Sequence, residues 1–137
     1  MEETQALPRN RLLQMAERIP QLFNDDVGVA PQGRTAQADF LLEIGTTPYY
    51  VSVRAGRITG FDRGRAIMRC WSFAIRGPES TWEQFWRPIP PPQFQDIFSL
   101  AKRGDFTIEG DLRPLMTHLL FFKALLAAPR RATGSIS

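Results

Sequence analysis

Residues 70–126 read CWSFAIRGPESTWEQFWRPIPPPQFQDIFSLAKRGDFTIEGDLRPLMTHLLFFKALL, and the order of elements along this stretch decides the fold. Trp71, Phe73 and Ile75 alternate on one face of a strand that spans Ile67 to Arg76. Gly77-Pro78-Glu79-Ser80 closes that strand and opens a helix, in which Ser80 followed three residues later by Glu83 resembles a capping box. Trp82, Phe85 and Trp86 then fall at i, i+3 and i+4 and share one helical face. Pro88 and the run Pro90-Pro91-Pro92 stop this helix and start another, where Phe94, Ile97, Phe98 and Ala101 repeat the spacing before Lys102-Arg103-Gly104 ends it. Asp105 to Gly110 reads as a fifth strand and Leu112 to Ala127 as a final helix. Leu112, Leu115, Met116, Leu119, Leu120, Phe121, Phe122, Leu125 and Leu126 cover nearly the whole circumference of that helix. A helix apolar all round is buried on several sides, so it walls a cavity, forms a subunit interface, or both.

Ahead of this stretch lies a block of three further strands. Phe40, Leu42 and Ile44 alternate with Leu41 and Glu43, and Gly45-Thr46-Thr47-Pro48 turns the chain. Tyr49 to Arg54 is β-branched and aromatic, Ala55-Gly56 is a hairpin tip, and Arg57 to Phe61 returns. Taken by themselves, these three strands and the one after Asp62-Arg63-Gly64 make a four-stranded antiparallel meander. Further upstream, Leu12, Leu13, Ala16, Ile19, Leu22 and Phe23 fall near helical spacing from Pro8 onward, with Pro20 disturbing the last turn and Asn24-Asp25-Asp26 as the stop. The expected organisation is one domain over residues 1–137, with a core over about 9–128 and loose tails at 1–8 and 129–137.

At 137 residues, 43% hydrophobic and 23% charged, the chain is long enough and apolar enough to bury a core without staples. Cys70 is the single cysteine, so no internal disulfide forms, which fits a reducing compartment and a cytoplasmic protein. No basic region leads into an apolar run at the N-terminus, and the greasy segment near Leu112–Ala128 is broken by Arg113, Pro114, His118 and Lys123. Neither a signal peptide nor a membrane span is expected. The net charge of +3 comes mostly from dispersed arginines. Five of them, Arg54, Arg57, Arg63, Arg65 and Arg69, stand against Asp62 alone between positions 54 and 69, as a solvated face or as a rim that meets an anionic head group. No nucleic-acid motif accompanies them, and no nucleic-acid partner is expected.

Catalytic constellations mostly fail. His118 is the only histidine, so a site of two or more imidazoles is impossible, and no metal is expected. Asp111 lies seven residues away from it, about 10 Å along a helix, too far for a direct hydrogen bond. Gly56, Gly60 and Gly64 match neither a dinucleotide fingerprint nor a P-loop and fit turns and bulges instead. An enzyme using Asp39 or Asp62 with His118, on a cone-shaped fold of the nuclear transport factor 2-like kind, ranks last, because here helices close the chain.

With its elements in this order, the chain resembles the sterol carrier protein type 2-like family of lipid-binding domains over roughly Phe40 to Leu126. The most telling part is Gly104-Asp105-Phe106-Thr107-Ile108-Glu109-Gly110-Asp111, a glycine-bracketed strand with alternating hydrophobics between a helix pair and the last helix. Gly110 allows a tight exit from the strand, and Asp111 can cap the last helix. Trp71 to Gly77 as strand and Thr81 to Arg87 as helix fit as well. The triple proline and the tryptophans Trp71, Trp82 and Trp86 depart from the family pattern.

The resemblance implies an α+β fold with a five-stranded, mostly antiparallel sheet and helices packed on one side. It further implies an apolar tunnel for a fatty acid, sterol or quinone-like lipid, with neither enzymatic activity nor cofactor. On this reading the tunnel wall is drawn from Phe73, Trp82, Phe85, Phe94, Phe98, Met116, Leu119 and Leu120, with Arg69 and Arg76 as head-group candidates. The alternative is an accessory interaction module, in which the apolar C-terminal helix forms a homodimer interface or meets a partner enzyme.

Overall fold

The computed structural model describes residues 9–24, 35–64 and 70–130. Strands β1 (Ala38–Ile44), β2 (Thr47–Arg54) and β3 (Arg57–Arg63) form an antiparallel meander. The β2–β3 turn rests on Ala55 (φ 53°) and Gly56 (φ 76°), the two positive angles that a tight two-residue hairpin requires. Here the meander ends. Strand β4 (Phe73–Gly77) lies beside β1 and parallel to it, with Phe40 opposite Phe73 and Ile44 opposite Gly77. The expected four-strand meander is therefore corrected, because parallel neighbours demand a crossover rather than a hairpin. Strand β5 (Thr107–Gly110) adds antiparallel to β4, giving the order β3-β2-β1-β4-β5. The sheet is five-stranded, mixed and mostly antiparallel, as the resemblance implies.

Strand β4 begins at Phe73, so residues 70–72 fall outside the longer strand expected from Ile67, and residues 65–69 lie outside the described ones. At Ser72 the chain bends. Its N–H donates to the Asp39 carbonyl and its own carbonyl accepts from Asp111 N–H, both at 2.7 Å. The bend takes Trp71 off the face of Phe73 and Ile75 and sets its ring 5.8 Å from the Arg76 guanidinium.

The helices cover one face of the sheet. Helix α1 (Arg9–Glu17) and α2 (Ile19–Asn24) replace the single N-terminal helix expected, with Pro20 at the second position of α2, where its missing N–H costs nothing. Asn24 clamps β3 by exchanging two hydrogen bonds with the Ile58 main chain, both 3.0 Å. The Tyr49 hydroxyl donates to Glu17 Oε2 at 2.8 Å, and burial first, then Glu17, pushes the phenol well above its usual range. Helix α3 (Glu79–Phe85) is capped by Pro78 without a side-chain bond, so Ser80 sits inside the helix and the capping box does not form. Helix α4 (Ile97–Arg103) starts later than expected: Pro91–Phe94 makes a turn, Gln93 takes φ 73°, and Asp96 caps the helix by accepting from Ser99 N–H at 3.3 Å. Gly104 ends it in the left-handed region, φ 90°. The final helix is two, α5 (Arg113–Thr117) and α6 (Leu119–Leu126), broken at His118 (φ −123°, ψ 50°).

The core fills the space between sheet and helices with rings. Phe40 and Phe73, opposite one another on β1 and β4, stack at 4.9 Å, and Phe122 of α6 meets both edge-on at 5.7 and 5.6 Å. Trp82 packs on Phe85, Trp86 and Phe106 at 5.8, 5.0 and 4.4 Å. Both buried indoles have acceptors, Trp82 Nε1 donating to the Glu43 carbonyl (3.0 Å) and Trp86 Nε1 to the Leu126 carbonyl (2.7 Å). Each fully buried ring of this kind contributes roughly 1.5–3 kcal/mol by leaving water.

Candidate ligand-binding site

The break at His118 is where the apolar surface opens. In an uninterrupted helix Leu115, Met116, Leu119 and Leu120 would lie close together on successive turns. Here Leu115 points into the core, while Met116 and Leu120 are 52% and 70% exposed. Between them runs a groove of about 280 Å³ lined by Met116, Thr117, His118, Leu119, Leu120 and Phe121. Its floor continues into the interior through Phe121, which meets Phe23 at 5.0 Å and Phe122 at 5.1 Å. A groove of this make-up has aliphatic walls, a thioether, one hydroxyl and one imidazole. It can bind an apolar body and offer a polar end one or two hydrogen bonds, but it supplies no paired acid and base.

The eight wall residues named from sequence fall into three places. Met116, Leu119 and Leu120 come together at the groove. Phe73, Trp82 and Phe85 are buried in the ring-packed core. Phe94 and Phe98 are half-buried against it, beneath Arg103 (4.9 Å) and Lys123 (5.7 Å). Of the head-group candidates, Arg69 lies outside the described residues. Arg76 is on the open face of the sheet, held by Glu43 Oε1 at 2.8 Å and Glu109 Oε2 at 2.6 Å. Burial alone would pull its guanidinium down, but these two carboxylates outweigh it and raise the pKa further. That position is across the sheet from the groove.

A second hollow, about 420 Å³, lies on the open face of the sheet between Asp39, Tyr50, Ser52, Arg54, Asp62 and Cys70. Arg54 pairs with Asp39 there at 3.0 Å. Asp39 and Asp62 are thus on one side of the sheet and His118 on the other, so the acid–His pair is not assembled. Among the described residues no cluster of three or more His, Cys, Asp or Glu side chains has the arrangement of a metal site, and no helix is long and apolar enough to cross a membrane.

The sequence places His118 at a helix surface or pocket edge, and there it stands, but two other features carried less signal. Thr117 joins His118 in lining the groove because the helix breaks there. Its only local signal is modest helix propensity after Pro114. Arg130, assigned to a loose tail, reaches back to donate to the carbonyls of Phe85 (2.7 Å) and Gln95 (3.0 Å). Nothing in the sequence marks those bonds.

No protein-family model and no curated protein matches this sequence. Solved structures do match its fold. A crystal structure of sterol carrier protein 2 superposes with a TM-score of 0.65 at 16% identity, covering 85% of this chain and 94% of that one. A UbiJ-SCP2 ubiquinone synthesis protein does so with a TM-score of 0.56 at 10% identity, covering 93% and 98%. Sterol carrier protein 2 from Yarrowia lipolytica in its apo form gives 0.51 at 12% identity, covering 83% and 88%. The fold is that of sterol carrier protein 2.

Proposed function

We propose that this chain, built on the sterol carrier protein 2 fold, binds a hydrophobic ligand without transforming it, and that the ligand enters at the α5–α6 break. The observation that carries this reading is the exposure of Met116 and Leu120 on the rim of an apolar groove, at the end of a helix otherwise sunk in the core. The proteins with this fold include ones named for sterol carriage and for ubiquinone synthesis, and sterols and ubiquinone are both water-insoluble. Binding needs no special chemistry, since each methylene removed from water contributes roughly 0.8 kcal/mol. The groove itself holds only part of a long ligand. A complete acyl chain or ring system would reach inward past Leu119 and Phe121 and displace rings of the present packing, so a fatty acid, sterol or quinone-like lipid would be accommodated by side-chain movement in the core.

The test is native mass spectrometry of the purified full chain, followed by organic extraction and identification of what is released. Retention of a lipid by the wild-type protein, and its loss from a folded Met116→Trp variant, is the expected result. A wild-type protein that stays empty after incubation with fatty acid, sterol and quinone vesicles would sink the reading.

A further inference from the structure

Apart from the apolar groove, we propose that the small cavity beside the C-terminal end of α6 binds an oxyanion, a carboxylate or phosphate group, between Arg130 and Lys123. The cavity measures about 90 Å³ and is lined by Phe85, Gln95, Asp96, Ile97, Lys123 and Arg130. That is room for a single charged group and far below the several hundred Å³ of a drug-sized site.

The Arg130 guanidinium is half-buried, lies 4.4 Å over the Phe85 ring, and among the described residues donates to two neutral carbonyls, those of Phe85 and Gln95. Arg54, Arg63, Arg76, Arg103 and Arg113 each hold a carboxylate. Arg130 holds none among the described residues. Burial pulls its pKa below the usual guanidinium value, the direction expected of a cation that has lost water and gained no countercharge. A partly covered cation without a countercharge favours an anion, and a guanidinium has five N–H donors, of which the two carbonyls occupy two.

Lys123 completes the site. Its Nζ sits 2.9 Å from Asp96 Oδ1, while Asp96 Oδ2 is engaged by the Ser99 N–H at 3.3 Å. Among the described residues two cations therefore face one carboxylate, which leaves the cavity one excess positive charge. An incoming oxyanion is bound by the free edge of Arg130 and shared by Lys123, the charge-assisted geometry in which arginine is strongest. The rings and aliphatic groups on the wall, Phe85 and Ile97, favour an anion that carries an apolar tail over one that carries none.

Calorimetric titration and thermal-shift assays of the full chain with inorganic phosphate, with octanoate and with 1-octanol separate the sources. Both anions should bind the wild-type protein. Octanoate binding about tenfold or more tighter than phosphate identifies the acid head of an amphiphile, and equal affinities identify a free oxyanion. Arg130→Gln should weaken both anions by about tenfold or more. Because that change also strips two carbonyls of their donor, Lys123→Met is the companion variant: it leaves the Arg130 bonds intact, exposes Asp96 to the site, and should weaken both anions severalfold. The proposal is overturned if neither anion binds the wild-type protein, if both variants bind the anions unchanged, or if octanol binds as well as octanoate. Lipid retained in the groove by native mass spectrometry is a separate readout, so either proposal can fail while the other stands.

Discussion

The sheet-facing side of α6 and the groove at its N-terminal end are both built on leucine and phenylalanine, yet one is closed and the other open. On the closed side Phe122 fits edge-on against a pair of stacked rings that strand pairing has already set face to face. On the open side Met116 and Leu120 are 52% and 70% exposed and stand on the rim of a hollow. What separates them is partnership across the sheet. Side chains on α6 that oppose the β1–β4 pair are pinned by it, whereas Met116 and Leu120, on either side of the His118 break, are exposed. Apolar composition alone therefore says nothing about which surface is core and which is left open.

Mutation of the closed side should have the largest effect. Phe122→Ala removes a fully buried ring in contact with Phe40, Phe73 and Phe121, and should cost about 3–5 kcal/mol in urea unfolding. A loss under about 1 kcal/mol would mean that the ring packing is loose and that the core is already a cavity wall. Gly110→Ala comes next. Gly110 has φ 98°, and a Cβ there would lie 2.5 Å from the Ser72 carbonyl oxygen, the acceptor of Asp111 N–H. The change should cost about 1–3 kcal/mol through the strained backbone, and should split β5 from β4 in hydrogen-exchange measurements before the rest of the sheet opens. On the open side, Leu120→Ser should shift stability by no more than about 0.5 kcal/mol, because the side chain is mostly in water already. Its effect should instead be on ligand retention. A large stability loss there would show that Leu120 is covered in solution, as in a dimer.

The contrast also explains what the sequence could and could not reveal. The Gly104–Asp111 unit was legible because its constraints are local: Gly104 and Gly110 both take positive φ, and Phe106 must be buried beneath Gly77, where any Cβ would strike its ring. The inward helix face Trp82–Phe85–Trp86 was legible for the same reason, a fixed helical period. Strand partnership was not. Nothing within Phe73–Gly77 says that it lies parallel to β1 rather than antiparallel to β3, because register and neighbour are decided by the crossover and by the stacking of Phe73 on Phe40. The residues named for the wall separate only in three dimensions. Phe73 and Met116 look equally apolar in the sequence, and only tertiary packing puts one in the core and the other on the rim.

The smallest effect expected is at the junction that joins the two regions, where β5 passes into α5. Asp111 accepts from the Arg113 main-chain N–H at 3.1 Å and from its guanidinium at 2.9 Å. These side-chain and main-chain bonds from Arg113 hold its carboxyl well below the usual range, at about 2. A carboxyl depressed in the folded state binds its proton more weakly there than in the unfolded chain, so its contribution to stability is fully present above about pH 4. It fades as the pH falls through about 2. Both groups are exposed to solvent, so the contribution is small and screened by salt. Asp111→Asn should therefore lower the melting temperature slightly at about pH 7, and the gap from wild type should close as the pH approaches about 2 or as salt is raised. A gap that persists unchanged at that acid limit would assign the role of Asp111 to the shape of its main-chain turn rather than to its charge, and would place the constraint on α5 in the backbone alone.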